Sequence, residues 1–214
     1  MENNMSSKRN LVFGFITILL LYLDGFVYYT IGQGLLEGQA HGHLISNLTI
    51  TLIWAIGAFF LWFYPIFLKK EHKPDNSVLT FIVFIVLLVG INMFAAKSFV
   101  PHVIRSFSNY IVRFAPFGVE TFIYQQVYYL VEAVLVVMIV YFFQEYGELK
   151  YKKKLIPYGA IGLAVFWGLV HIFTKGLATG IQGFILSSLL GVSYVAMNKS
   201  CVKLYVLAVL LFMI

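Results

Sequence analysis

The chain has 214 residues, of which 61% are hydrophobic and only 11% charged, with a net charge of +6. A soluble domain carries about 25% charged residues, so this composition excludes a water-soluble globular fold. The basic residues lie between apolar runs, where loop charge sets orientation; this excludes a nucleic-acid partner and points to the lipid bilayer.

In chain order, Met1 to Asn10 forms a polar leader with Lys8 and Arg9, and Leu11 to Ile31 is the first apolar run. It starts like a signal peptide. It is too long for one, carries Asp24, and lacks a small-x-small cleavage site. Gly32 to His43 is a glycine-containing loop with His41 and His43, whose spacing admits either a solvated loop or a metal pair. Leu44 to Leu68 is the second span, opening on an Asn47-Leu48-Thr49 sequon. Lys69 to Asn76 is a charged turn, and Ser77 to Ala96 is the third span.

Lys97 to Gly118 differs in kind. Val103, Ile104, Phe107, Tyr110, Ile111 and Phe114 recur at helical spacing with Arg105 and Arg113 between them, the pattern of an amphipathic helix lying in the interface. Glu120 to Phe143 is the fourth span, Gln144 to Lys154 a polar loop, Leu155 to Thr174 the fifth span and Gly176 to Met197 the sixth. Cys201 to Ile214 would cover about 21 Å as a helix, a partial or tilted seventh span.

The expected fold is therefore all-α: a polytopic transmembrane helix bundle of six to seven spans plus one interfacial helix, in a single domain over residues 1–214. Each span exceeds or approaches the ~20 apolar residues that cross the hydrocarbon core. Lys8, Arg9, Lys69, Lys70, Lys73, Lys150, Lys152 to Lys154, Lys199 and Lys203 fall on the N-terminal side; Lys97, Arg105, Arg113 and Lys175 fall on the other. The bias predicts a cytoplasmic N-terminus. The lone Cys201 excludes an internal disulfide.

Ionisable groups at membrane depth cost at least about 2.5 kcal/mol on insertion scales and so call for a reason. Glu132 lies near the middle of the fourth span, with Gln125, Tyr128 and Tyr129 at seven, four and three residues before it, forming a polar stripe. It is either a protonated, hydrogen-bonded structural group or a general base or metal ligand facing a polar cavity. His171 sits in the last third of the fifth span, four residues after Trp167. With Glu132 on a neighbouring helix, the pair is suited to polarise a water, with or without a divalent metal such as zinc. Asp24 has Tyr28 one turn on and reads as an interfacial or hydroxyl-paired acid. His102 falls on the same outer side as His41 and His43.

The stretches YYLVEAVLVVMIVYFFQEYGE, FWGLVHIFTKG and GFILSSLLGVSYVAMNKS together resemble the CAAX-protease and bacteriocin-processing (CPBP/Abi) family, over roughly Tyr124 to Ile214. The resemblance implies a helical intramembrane endopeptidase whose glutamate and histidines activate water against membrane-associated peptides or prenylated proteins. It also implies a bacterial cytoplasmic membrane and links to bacteriocin immunity. Glu132 matches the second glutamate of the E-E-x-x-x-R motif, with Val131 and Val136 where the first glutamate and the arginine stand. His171 matches the F-x-x-x-H histidine, with Trp167 in place of phenylalanine. The closing H-x-x-x-N falls near Leu207 and Leu211, which cannot donate a hydrogen bond.

Three functions follow as expectations. The first is a Glu132/His171 endopeptidase, with Gln125, Tyr128, Trp167 and Gln182 as substrate or support residues. The second is an inactive relative serving as an immunity, chaperone or signalling scaffold. The third is a small proton-coupled transporter using Asp24, Glu132 and His171, although no inverted repeat is evident.

Overall fold

The computed structural model describes residues 2–35, 42–68, 78–97, 101–113 and 118–214. It is all-α. Helix α1 (Glu2–Val27) runs directly into a π-helical segment (Tyr28–Leu35), followed by α2 (Gly42–Leu68), α3 (Val78–Ala95) and α4 (His102–Arg113). The second half comprises α5 (Gly118–Tyr151), then α6 (Tyr158–Leu163) joined through a π-helical turn (Ala164–Gly168) to α7 (Val170–Lys175), and finally α8 (Leu177–Ala196) and α9 (Cys201–Met213). Among the described residues, five helices are long and apolar enough to cross a membrane: Met5–Gly32, Leu44–Leu61, Val78–Ala95, Gly118–Tyr151 and Leu177–Ala196. Tyr158–Phe173 and Cys201–Met213 are shorter apolar helices. The expected fifth span thus begins three residues later, as a helix that, like the expected seventh, falls short of the length of the five. The turn Lys69 to Asn76, His41 and residues 114–117 lie outside the described residues, as does the side chain of His43.

Helix α5 is the axis. It packs against α1, α2, α4, α6 and α9, and every residue from Leu135 to Val140 is fully buried. A helix that is apolar all round has neighbours on every side, and these residues have no polar face to give to lipid headgroups or water. Helix α3 is the opposite case. It leans on α8 and α9, and Val78, Leu79, Ile82, Val83, Val86, Leu87 and Phe94 remain exposed, a surface suited to lipid. On α4, Ile104 and Phe107 are exposed and Ser106 is buried.

The polar segment after Phe143 is not the expected loop. Helix α5 continues to Tyr151, because its polar residues find partners inside the bundle. The fully buried Gln144 donates through Nε2 to Glu148 Oε1 at 2.6 Å and to the Ile156 carbonyl at 2.9 Å. Its Oε1 accepts from the Gly159 N–H at 3.1 Å. Glu148 in turn pairs with Lys199 at 2.5 Å. This latch ties α5 to the start of α6 and the end of α8. The chain reverses only at Lys152, whose φ of 57° ends the helix.

Helices α6 and α7 lie very close to α8, and small residues permit it. In lipid no hydrophobic effect drives helices together, so close backbone contact and dispersion must do so. A Cβ on Gly191 would fall 2.1 Å from the Ala160 Cα, and one on Gly180 would fall 2.6 Å from the Ile172 backbone nitrogen. Backbone atoms cannot swing aside as a side-chain end can. Gly25, on the exposed flank of α1, has nothing within 4 Å of such a Cβ.

Two outcomes follow for unfolding in detergent micelles. Gly191→Val should lose at least about 2 kcal/mol, the upper half of the usual overpacking cost, while Gly25→Ala should lose nothing. Gln144→Leu should cost a further ~1–3 kcal/mol by stranding the Gly159 N–H. Circular dichroism against denaturant measures both.

Candidate functional site

A cavity of about 290 Å³ opens between the two halves of the chain. Helix α5 contributes Tyr129 and Glu132, the π turn and α7 contribute Trp167, His171 and Lys175, and α8 contributes Thr179 and Gln182. The first half adds Asn92 from α3 and His102 from the start of α4, and Leu211 and Phe212 of α9 close one wall.

Trp167 links the two central groups. Its indole Nε1–H donates to Glu132 Oε1 at 3.4 Å. Its backbone carbonyl lies 2.7 Å from His171 Nδ1. A carbonyl only accepts, so Nδ1 carries the proton and a neutral ring presents the Nε2 lone pair. The indole and imidazole rings pack at 4.6 Å between centroids, tilted by 58°. Glu132 and His171 therefore meet through Trp167. One oxygen of the acid and one nitrogen of the ring are held, leaving Oε2 and Nε2 for other partners.

The rest of the lining is rich in donors. Gln182 Nε2 donates to Asn92 Oδ1 at 2.8 Å, and Asn92 Nδ2 donates to the Leu211 carbonyl at 3.2 Å. His102 Nε2 lies 2.9 Å from Ser106 Oγ, and the His102 N–H bonds the Ile214 carbonyl at 2.8 Å. Its ring also meets Tyr129 edge-on at 6.2 Å, and Tyr129 stacks on Phe212 at 5.7 Å. Lys175 is one helical turn beyond His171, and its positive charge acts on Asp24, Glu132 and His171 together.

The predicted stripe on α5 divides. Tyr129 joins the cavity, whereas Gln125 and Tyr128 turn to α1 and α2. Asn47 Nδ2 donates to Gln125 Oε1 at 3.5 Å. Tyr128 packs on Trp54 at 4.9 Å and hydrogen-bonds Asp24. At about 100° per residue, positions three and four before Glu132 flank it on opposite sides, so one sequence stripe serves two spaces. Of the residues expected at the site, Glu132, His171, Trp167 and Gln182 line the cavity; Gln125 and Tyr128 do not. His102, expected on the outer side with His41 and His43, lines it too.

Asn92, His102 and Lys175 were not legible as site residues. Asn92 carried the clearest available signal, being an amide inside a span of mean apolar character. The other two looked like ordinary loop and flanking residues, and only tertiary packing collects them.

A structural zinc site takes four protein ligands and a catalytic one three. Among the described residues, no three His, Cys, Asp or Glu side chains are grouped to hold a metal ion. Glu132 and His171 do not fit a protein-held zinc on their own.

No family model matches the chain, and no curated protein or solved structure matches it.

Gln182→Leu should destabilise the protein by about 1–3 kcal/mol by leaving Asn92 Oδ1 unpaired. The Asn92→Leu/Gln182→Leu double variant should lose clearly less than the two single losses added together. A double-mutant cycle of unfolding free energies measures this coupling.

Proposed function

We propose that the cavity is a hydrolytic site for a peptide bond in membrane-associated peptides or proteins, in a helical membrane protein of CPBP/Abi-like pattern. One observation carries the reading: Glu132 and His171, from separate helices, line one cavity and keep one acceptor atom each untied by Trp167. Amide hydrolysis needs an acceptor for the proton of attacking water, a donor for the departing amine, and hydrogen-bond donors for the developing oxyanion. Glu132 Oε2 and His171 Nε2 suit the first task. Whichever of them takes the proton can return it to the amine nitrogen as the C–N bond breaks. The amide and ammonium donors of Gln182, Asn92 and Lys175 suit the third.

The family pattern expects its last donors on the closing helix. Here Leu207 is fully buried and Leu211 nearly so, and neither can donate. Asn92 and His102 bring an amide and an imidazole from α3 and α4 instead. Val136, where the pattern has arginine, is fully buried within the bundle axis, so a charge there has no place.

A second reading keeps the fold without hydrolysis. The same Trp167 bonds that prepare Glu132 and His171 also satisfy them, as a binding or immunity scaffold would require. The transporter reading is weaker, because Asp24 of α1 accepts a hydrogen bond from Tyr128 of α5 and does not line the cavity.

The five long apolar helices fit a lipid environment. The CPBP/Abi resemblance implies a bacterial cytoplasmic membrane, and loop charge supports an N-terminus inside, which turns His102 and Lys175 to the outer face. In a Cys201→Ala background, Lys175→Cys should react with a membrane-impermeant maleimide added to intact cells, and Lys152→Cys should not. The reverse pattern contradicts this orientation.

The activity test uses proteoliposomes and a quenched-fluorescent peptide library. Glu132→Gln should lower cleavage at least about 100-fold, the lower end for a general acid–base group, while unfolding free energy changes by less than about 1 kcal/mol. Absence of cleavage by the unmodified chain, with large stability losses in Glu132→Gln and His171→Gln, would favour the scaffold.

A further inference from the structure

We infer that Trp167 is a positioning residue that sets the orientation of Glu132 with its side chain and of His171 with its backbone. This rests on the hydrolytic reading of the cavity for its kinetic consequence, but not for its geometry.

The residue has two hands. The indole N–H reaches Glu132 on α5, and the backbone carbonyl takes the Nδ1–H of His171 one turn along its own helix. The first fixes which carboxylate oxygen is engaged. The second fixes the imidazole tautomer. Neither hand can serve the other's purpose: an indole N–H has no lone pair to offer, and a carbonyl has no proton.

The backbone under Trp167 is held from both sides. The turn Ala164–Gly168 is π-helical, closed by the Leu169 N–H on the Ala164 carbonyl at 2.9 Å. Such bulges break the ordinary hydrogen-bond register and cluster at functional positions. The Phe166 carbonyl accepts from the Tyr22 hydroxyl of α1. On the other side, a Cβ on Gly168 would fall 2.7 Å from the Phe184 Cα of α8. Trp167 as a whole is 9% exposed, and its indole meets Phe212 edge-on at 5.8 Å. With backbone and ring both packed, the indole has little freedom to swing, so its N–H is a fixed reference for the Glu132 carboxylate.

A packing tryptophan and a positioning tryptophan differ in what phenylalanine does. Trp167→Phe keeps a ring and the carbonyl but removes the N–H. It should release Glu132 alone, leaving His171 held.

The primary experiment is NMR of the full chain, 15N-labelled at tryptophan, in lipid nanodiscs. The Trp167 indole signal is the one lost in Trp167→Phe. Glu132→Gln should move that signal and leave the Trp54 signal, whose N–H bonds the Leu20 carbonyl at 2.5 Å, unmoved. An unmoved Trp167 signal overturns the proposal whether or not the protein cleaves anything. In proteoliposomes with the quenched-fluorescent peptides, Trp167→Phe should lower kcat about 10- to 100-fold with KM within about twofold, the split expected for a group acting on the reacting state. Unchanged kcat in Trp167→Phe, where Glu132→Gln abolishes cleavage, overturns the kinetic part. Full activity of Glu132→Gln would instead sink the hydrolytic reading and leave the NMR result to judge the geometry.

Discussion

The whole arrangement depends on one constraint: a polar group at membrane depth must find its partner within the protein, because lipid offers none. An unmade hydrogen bond there costs several kcal/mol, so the positions of such groups organise the bundle. Glu132 finds Trp167, Asn92 finds Gln182, Asp24 finds Tyr128, and Gln144 finds Gly159 and Ile156. Each of these contacts joins different helices or distant points of the chain. Together they specify which helix faces which, a choice that apolar surface alone leaves open.

Packing then brings these groups together. Close approach of α6 and α7 to α8 through Gly180 and Gly191, with the Gln144–Glu148–Lys199 latch at one end, holds the second half as one block. The first half packs α1, α2 and α4 against α5. Because α3 sits against α8 and α9, its amide Asn92 reaches Gln182, and the cavity acquires a further donor from outside the second half. The candidate site and the fold therefore share a single seam, between α5, α7 and α8.

Much of the fold was legible in the sequence, since continuous apolar runs of about 20 residues leave few alternatives to spanning helices. Helix existence came through; helix ends did not always. Gln144 to Tyr151 looked like a loop because polar residues interrupt an apolar run. They form a helix because their partners lie far away in sequence, at Ile156, Gly159 and Lys199. The site was half legible. Glu132, His171 and Trp167 stand out by residue type and spacing alone. Gln125 and Tyr128 share their stripe in one dimension but turn to α1 and α2 in three. His102 could not be assigned because nothing local distinguishes a cavity-facing residue from one that faces lipid or water, and Asn92, though marked as an amide within a span, gave no local sign of its partner Gln182.

The central claim is that Glu132 and His171 share a wet cavity inside an otherwise dry bundle. Water-edited solid-state NMR of the protein in bilayers tests it most directly, by timing how fast magnetisation passes from water to labelled side chains. The account predicts that the Glu132 carboxyl carbon and His171 Nε2 receive it about as early as exposed residues such as Lys152, and far earlier than the Leu135 to Val140 run. Transfer to both groups as slow as to that buried run would contradict it.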